Sequence, residues 1–192
     1  MYKICKTDQS LARQRHIELE LLSMLTEIPF DEISVSDLCN RMDIPRKAFY
    51  RYFSSKEGAL FALIDHTLLE FYADGLRVGG GGAVGDLENF FLFWHSHRQL
   101  LDALDKSHLA GMLIERATLL SQKEKLMPRT ILAMDSELQG IAMTFSISGL
   151  MAMVFQWYHQ DFNISPREIT KIALDMLTRP LVQSPQPHKH GG

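Results

Sequence analysis

The chain has 192 residues, of which 46% are hydrophobic and 22% charged, and its formal net charge is −3 at pH 7. This length allows one good core or two small ones, and the composition excludes a wholly disordered chain. Cys5 and Cys39 lack the spacing of a metal site or a disulfide framework, which favours reduced thiols in a cytosolic protein. The first residues lack the apolar stretch of a signal peptide, so we expect no export.

The acidic balance of the whole chain conceals a basic segment near the N-terminus. Residues 41–56 contain five basic side chains and one acidic side chain, Asp43. Residues 57–192, by contrast, carry 11 basic and 15 acidic side chains. A local basic patch on an acidic protein fits a polyanionic partner, although a solvated helix surface would give the same run of charges.

Apolar residues recur at helical spacing along almost the whole chain, while strand signals are weak. A first helix is predicted over residues 10–28, with an apolar face at steps of three and four residues, and Pro29 ends it. Ser34, followed three residues later by Asp37, is typical of a capping box that starts a second, short helix.

A turn and a further short helix follow. Asp43 lies where the chain must turn, and aspartate tolerates the left-handed conformation better than most residues. Pro45 suits the first turn of the next helix, because its missing N–H would have no intrahelical partner there. Phe49 and Phe53 are four residues apart and share the face that we expect to be buried. Two short helices around a tight turn predict a helix-turn-helix unit.

The rest of the chain is also predicted to be helical. A long helix from Ser54 or Ser55 to about Gly75 is followed by VGGGGAVG at residues 78–85, which predicts a flexible joint. The later helices are expected from Asp86 through FFLFWHSH and over residues 98–107, 109–125, 138–160 and 166–179. Ser165-Pro166 with Glu168 is a strong start signal for the last of them.

The helix that contains Phe49 and Phe53 has a second face that suits DNA. With the phenylalanines buried, the side chains that point outward or flank that face are Arg46, Lys47, Tyr50, Arg51 and Tyr52. Arginine can pair with guanine edges, while lysine and tyrosine suit phosphate oxygens. Lys56 adds a donor beside the positive end of the next helix. Alternatively, both tyrosines are half-buried core residues with solvated hydroxyls, which would not explain the interleaved basic residues.

The stretch from Ile17 to Leu63, centred on FDEISVSDLCNRMDIPRKAFYRYFSSKEGALFAL, closely resembles the DNA-binding domain of the TetR/AcrR family of bacterial transcriptional regulators. Its most specific part is FYRYF, followed by the short SSKE link into a long helix. Asp43 stands where the family often has glycine, and Pro45 where a capping serine or threonine is common. The resemblance implies that residues 45–53 form the recognition helix and that DNA is contacted by Ser34, Ser36, Arg46, Lys47, Ala48, Tyr50, Arg51, Tyr52 and Lys56.

The remainder resembles the family in outline, through GLMAMVFQWY and the following SPRE helix. The resemblance implies an all-α fold of about nine helices. In this implied fold, residues 1–55 form a three-helix helix-turn-helix domain, residues 56–180 form a helical ligand-binding and dimerisation domain, and residues 181–192 form a disordered tail. It also implies a dimer interface on the last two helices, which we assign to Ala142, Ser146, Gly149, Ala152, Met153, Ile169, Ile172 and Met176.

Residues 138–160 contain no charged side chain, and a helix that is apolar all round must be buried. Its small residues would allow the close approach of another helix. The alternative is a transmembrane span, since the length fits. Gln139, Gln156 and His159 would be awkward in lipid, and no basic loop fixes an orientation.

The resemblance also implies an effector pocket inside the regulatory helices. Candidate lining residues are Phe90, Phe93, Trp94, Met112, Met127, Met143, Phe145 and Trp157, and ten methionines in the chain suit an adaptable apolar cavity. Ordinary core filling is the alternative for each of these side chains. His95 and His97 do not share a helix face, and no cysteine or carboxylate joins them or His108 at zinc spacing, so we expect no metal and no cofactor.

The sequence contains no GxSxG, P-loop, HExxH or CxxC motif, so we expect no enzyme. It predicts a cytoplasmic, homodimeric repressor that a small apolar or amphipathic effector releases from a palindromic operator. The alternative is a helical adaptor that binds another protein through FFLFWHSH and in which the DNA-binding unit is vestigial or co-opted. A small helical enzyme is a third reading, which lacks visible acid–base groups.

Overall fold

A computed structural model of the chain describes residues 1–78, 82–124 and 134–178. Within these ranges the fold consists of nine α-helices and a 3-10 turn at Phe30–Glu32, and the β-type pairing there is a single antiparallel bridge between Tyr2 and Phe53. The helices are α1 (Asp8–Glu27), α2 (Val35–Arg41), α3 (Arg46–Phe49), α4 (Lys56–Val78), α5 (Gly82–Ser96), α6 (Arg98–Lys106), α7 (Ala110–Lys123), α8 (Ser136–His159) and α9 (Pro166–Thr178). The predicted all-α fold of about nine helices is confirmed.

Helix α1 begins two residues before its predicted start because Thr7 caps it. The Thr7 hydroxyl accepts a hydrogen bond from the Ser10 amide at 3.3 Å, and the Ser10 hydroxyl in turn contacts the Thr7 backbone. Leu21 and Leu25 on its apolar face are fully buried. This face packs against α4 and α6, so the first helix is tied both to the helix-turn-helix unit and to the helices behind it.

The glycine-rich stretch is more helical than predicted. Helix α4 continues to Val78, and α5 already begins at Gly82, whose φ of 59° is left-handed and favours glycine. The prediction of a flexible joint over residues 78–85 is therefore wrong for 78 and 82–85, while 79–81 lie outside the described residues. A glycine costs about 1 kcal/mol in a helix. The burial of Phe91 and Trp94 further along α5 offsets that cost.

The helices that follow the helix-turn-helix unit form one packed bundle behind it. Helix α4 contacts both α1 and α7, so it links the two parts of the chain. Helix α5 packs against α9, and α7 packs against α8. Among the largest fully buried side chains in this bundle are Phe91, Trp94 and Trp157. The predicted tail at 181–192 lies outside the described residues.

Helix α8 is not covered in the way that its composition predicts. It is the one helix in the described ranges that is long and apolar enough to cross a membrane, and only 22% of its most apolar window is buried in the single chain. Ile141 is 69% and Phe145 72% exposed. An exposed apolar face of this size is typical of an interaction surface.

Candidate DNA-binding surface

The turn between α2 and α3 is fixed by a cap and by one left-handed residue. The Ser34 hydroxyl accepts from the Asp37 amide at 3.1 Å, and the Asp37 carboxylate accepts from the Ser34 amide at 3.0 Å. The Ser34 hydroxyl also donates to the Asp37 carboxylate, and this bond, followed by the one from the Ser34 amide, holds the pKa of Asp37 below its ordinary value. Asp43 has φ 52°, and the Ile44 amide donates to the Cys39 carbonyl at 3.0 Å. The predicted capping box and left-handed aspartate are confirmed.

Pro45 lies one position earlier in its helix than predicted. Its ψ of 144° is extended, which makes it the N-cap of α3 and not the first helical residue. The Pro45 carbonyl accepts from the Ala48 amide at 2.7 Å, so the cap still closes the first turn. A proline ring fixes φ but leaves ψ free, which is why the sequence could not separate the two positions.

Helix α3 ends at Phe49, so the recognition helix is shorter than the predicted span of 45–53. Beyond its end the chain meets residues 1–6, which we call the N-terminal arm. The Lys3 amide donates to the Tyr52 carbonyl at 2.9 Å, and the Ser54 amide donates to the Met1 carbonyl at 3.1 Å. The Ser54 amide, paired with the arm, cannot also extend the helix beyond Phe53.

The outward face of α3 carries the predicted cationic and aromatic side chains. Phe49 and Phe53 are 0% and 1% exposed and lie 5.3 Å apart between ring centroids, so they anchor the opposite side in the core. Arg46, Lys47, Tyr50 and Arg51 are all exposed. The Arg46 guanidinium donates to the Tyr50 hydroxyl at 3.2 Å. A donor array of this kind faces solvent where a duplex could approach.

The other predicted DNA contacts near α3 are less open. Tyr52 is half-buried, with its ring 6.3 Å from that of Phe53, so the reading of a half-buried core tyrosine with a solvated edge fits Tyr52 and not Tyr50. Ser36 and Ala48 are also half-buried, whereas Ser34 is exposed. Ser34 is thus the α2 residue whose hydroxyl lies nearest to solvent, although it also serves as the cap.

Lys56 has an internal role that the sequence did not reveal. Its ammonium donates to the carbonyls of Phe30 and Asp31 at 2.8 and 3.2 Å and lies 4.5 Å from the centre of the Phe30 ring. An ammonium has three N–H donors, so one remains for a phosphate. Lys56 therefore joins the 3-10 turn to the start of α4 as well as presenting a donor there.

Two further polar side chains beside this surface come from α1 and were not predicted from the sequence. Arg13 and His16 border a cleft of about 250 Å³ whose other walls include Arg51 and Tyr52. Nothing local in the sequence joins α1 to α3, although both α1 side chains are exposed one turn apart. Arg41, by contrast, is neutralised by Glu20 and Glu27 at 2.6 Å each, so it does not add to the basic face.

The predicted effector-pocket residues are divided between the core and the surface. Trp94, Met143 and Trp157 are buried, and Phe90, Phe93 and Met112 are half-buried. Phe145 is exposed on α8, on the outer face with Ile141, so the structure does not place it in an enclosed pocket. Met127 lies outside the described residues.

Trp94 has the most unusual environment among these residues. Its indole N–H is buried and has no hydrogen-bond partner in the described ranges. The Trp157 indole N–H, by comparison, donates to the Ile164 carbonyl at 3.0 Å. The rings of Phe90 and Phe93 lie 6.4 and 5.4 Å from that of Trp94. The arrangement leaves one donor unused inside an aromatic wall.

Most of the predicted dimer residues lie in one open groove between α8 and α9. The groove has a volume of about 520 Å³ and contains six of them, namely Gly149, Ala152, Met153, Ile169, Ile172 and Met176. Ser146 and Ala142 lie about one and two turns before Gly149 on α8 and are half-buried. Ile172 and Met176 are 47% and 50% exposed. The structure therefore brings these side chains together on one apolar surface of the chain.

The histidines do not converge on a metal site in the part of the chain that the structure describes, where no cluster of three histidine, cysteine or carboxylate side chains occurs. His97 lies 2.8 Å from the Phe93 carbonyl through Nδ1 and stacks on the Phe93 ring. His95 is exposed and packs beside Trp157 and Phe162. These contacts give each ring a structural neighbour.

Comparison with known proteins addresses the fold and the family. Residues 22–63 match the family model for bacterial regulatory proteins, tetR family. No curated protein matches the chain. Among solved structures, it is similar to the fatty acid degradation regulator FadR from Bacillus halodurans, with a TM-score of 0.58 and 13% identity over 93% of this chain and 98% of that one. It is also similar to the dihydroxyacetone kinase operon activator DhaS, with a TM-score of 0.54 and 14% identity over 87% and 94%.

Proposed function

From the membership of residues 22–63 in the tetR family of bacterial regulatory proteins, we infer that the chain is a homodimeric transcriptional repressor. It binds a palindromic DNA operator in the cytoplasm and leaves it when a small molecule binds. The observation that carries the DNA-binding part is the outward face of α3. Arg46, Lys47 and Arg51 are exposed there, and none of them forms an ion pair within the described ranges.

The roles of these side chains follow from their chemistry. A guanidinium at the start of a recognition helix suits the O6 and N7 edge of guanine, so we assign base reading to Arg46. Lys47 and the Tyr50 hydroxyl suit phosphate oxygens, which set the register of the helix on the duplex. The hydrogen bond from Arg46 to Tyr50 supports this division, because it holds the two groups on one face before DNA arrives.

The groove between α8 and α9 supports the proposal of a homodimer. Two copies related by a two-fold axis would bury the same surface on each chain. Gly149 and Ala152 carry little or no side chain and would let the partner's helix approach closely. Ile141 and Phe145 are mostly exposed in the single chain and would add apolar area to the same face. Two α3 helices would then face a duplex together.

The unpaired indole of Trp94 supports an effector site in the regulatory helices. A buried donor without a partner costs stability unless something supplies an acceptor. An apolar molecule that carries an acceptor and lies beside Phe90 and Phe93 would pair with Trp94 Nε1. Helix α4 contacts α7 in the regulatory bundle and leads directly from α3, so it offers the route by which such binding reaches the DNA face.

The test begins with selection of binding sequences from a pool of random 35-base-pair duplexes, followed by salt titrations on the best duplex. We expect Arg46→Ala to weaken binding to this duplex by about 5- to 150-fold and to relax specificity at one base pair. Tyr50→Phe should weaken binding to all sequences by a smaller factor. Lys47→Ala should lower the dependence of log Kd on log salt by about one unit.

The matched control is Lys171→Ala, which removes an exposed lysine from α9, far along the chain from α3. It should leave both affinity and salt dependence unchanged. Undiminished binding in the Arg46 and Lys47 variants would overturn the assignment of α3 as the recognition helix. A monomeric protein that retains no DNA at low salt would instead favour the adaptor reading. Transcription of a promoter that contains the selected site distinguishes repression from activation.

A further inference from the structure

A cavity of about 340 Å³ lies between the N-terminal arm, α1, α4 and α7, apart from the DNA-facing surface and from the Trp94 environment. Its walls are part polar and part apolar. The apolar side chains around it include Ile4, Leu11, Leu69, Leu119 and Leu120. The volume falls within the range of small-molecule sites, which begins at about 300 Å³.

Gln14 is a buried polar side chain of this cavity whose amide group has no hydrogen-bond partner in the described residues. It lines the cavity from α1 and is only 1% exposed, yet neither its amide oxygen nor its amide nitrogen has a hydrogen-bond partner in the described residues. Nearly all buried polar groups in folded proteins are paired, and an unpaired amide lowers stability. A group that can both donate and accept is therefore missing from its surroundings.

Most charged groups in the same cavity are already paired. The Asp65 carboxylate accepts two hydrogen bonds from the Arg116 guanidinium and one from the Tyr2 hydroxyl, the last at 2.6 Å. Lys123 at the rim is 3.3 Å from Glu124, while Lys3 lines the cavity from the exposed arm. The pairs cancel in the buried part of the wall, which therefore favours a neutral head group over an anion or a cation.

We propose that this cavity binds a small, neutral amphipathic molecule whose head group is amide-like, a carboxamide, lactam or urea. Its carbonyl accepts from Gln14 Nε2, and its N–H donates to Gln14 Oε1. Its apolar body lies against the leucines of α1, α4 and α7. An amide pair of this kind satisfies both orphan atoms at once, which an alcohol or an ester does less completely.

The position of the cavity gives such binding a consequence for DNA recognition. The arm that forms one wall is hydrogen-bonded to Tyr52 and Ser54, immediately after α3. The arm is also held tightly, since a β-carbon on Gly58 would lie 2.5 Å from the Met1 carbonyl oxygen. A ligand that shifts the arm therefore shifts the exit of the recognition helix. This coupling rests on the proposed function, whereas the binding does not.

The test uses the full chain and four probes, namely hexanamide, hexylurea, ε-caprolactam and 1-hexanol, measured by calorimetry and by NMR. We expect at least one of the three amide-like probes to bind and to shift the Gln14 side-chain amide resonances. Gln14→Met, which keeps the size but removes the polar atoms, should weaken that binding about tenfold. Hexanol should bind weakly and should be little affected by the change.

Gln9→Met is the matched control, because Gln9 lies on the same helix but is exposed. It should leave binding unchanged, while Gln14→Met should also raise Tm. Leu119→Trp, which narrows the cavity from its exposed rim, gives a second variant and should block the probe. The proposal is overturned if no amide-like probe binds, or if binding is equal in wild type and both cavity variants. If the wild-type protein binds no DNA, the proposed function is overturned, whereas the proposal of this ligand site still stands.

Discussion

The helix-turn-helix unit at Ser34–Phe53 and the α8–α9 pair differ in how far a single chain covers their apolar side chains. In the first, short helices are held by local hydrogen bonds, a left-handed Asp43 and two buried phenylalanines within the same chain. In the second, a 24-residue helix leaves a broad apolar face uncovered. The first unit is complete in one copy, whereas the second leaves apolar surface exposed that our proposal assigns to a second copy. Stability of the chain and assembly of the chain should therefore respond to different substitutions.

The largest expected effect is on assembly. Ile141→Glu together with Phe145→Glu places charges on the exposed face of α8, and a two-fold interface counts each of them twice. Burial of one such side chain contributes about 1.5–3 kcal/mol, so we expect the dimer dissociation constant to rise more than about 100-fold. Sedimentation equilibrium measures this change. Leu92→Glu, on the exposed face of α5, is the control and should leave a dimer. A dimer that survives the double substitution would refute the α8–α9 interface.

The next largest effect is on the free energy of unfolding, for which we compare the loss of a buried ion pair with the loss of a surface pair. Asp65 is 2% exposed and is bonded to Arg116 and Tyr2, so Asp65→Asn leaves the Arg116 charge without its partner. We expect the free energy of unfolding to fall by about 2–3 kcal/mol, below the usual cost for a buried pair because Arg116 is a quarter exposed. Urea denaturation at pH 7 gives this value.

The surface counterpart is Asp161→Asn. Asp161 follows α8, and the substitution removes the negative charge that pairs with Arg98. Both of these side chains are more than half exposed, so the free energy of unfolding should change by less than about 1 kcal/mol. Equal costs for Asp65→Asn and Asp161→Asn would mean that the contact between the arm, α4 and α7 contributes no more than a surface pair. The contrast therefore tests whether the arm is part of the folded core.

The difference between the two regions also explains what the sequence could predict. Ser34 with Asp37, the turn at Asp43 and the pair Phe49 and Phe53 act over three or four residues, so their geometry is visible in a local pattern. The N-terminal arm is not, because Tyr2 meets Asp65 across 63 positions. Arg13 and His16 reach the cleft beside Arg51 and Tyr52 only through the packing of separate helices.

Other features were mispredicted because opposing energies had to be weighed, and not because the contacts lie far apart in the sequence. Glycines at 82 and 85 indicated a loop, but packing of α5 outweighed their low helix propensity. The uniform apolarity of α8 predicted burial without specifying what buries it, and Phe145 was assigned inward although it is exposed. Gln14 gave no signal at all, because a lone glutamine on a helix is ordinary until its neighbours are known.

The smallest expected effect comes from removing a serine cap, which occurs both at α2 in the helix-turn-helix unit and at α9. Ser165 and Glu168 repeat at α9 the reciprocal bonds of Ser34 and Asp37, with the Ser165 amide donating to Glu168 at 2.8 Å. Hydrogen bonds from the serines lower the pKa of Asp37 and of Glu168. A carboxylate with a depressed pKa in the folded state stabilises the protein above its unfolded pKa. That contribution is lost as pH falls through the folded value.

Ser34→Ala and Ser165→Ala should therefore each lower the free energy of unfolding by about 1 kcal/mol at pH 7. The cost should shrink as the pH falls through the lowered pKa of the paired carboxyl, because its protonation in the parent protein weakens these hydrogen bonds. NMR titration should show the pKa of Asp37 rising in Ser34→Ala and that of Glu168 rising in Ser165→Ala. Only Ser34→Ala should also weaken DNA binding, because α2 has seven residues and supports α3 directly. Equal loss of DNA affinity in both variants would show that the two regions are not separable in function.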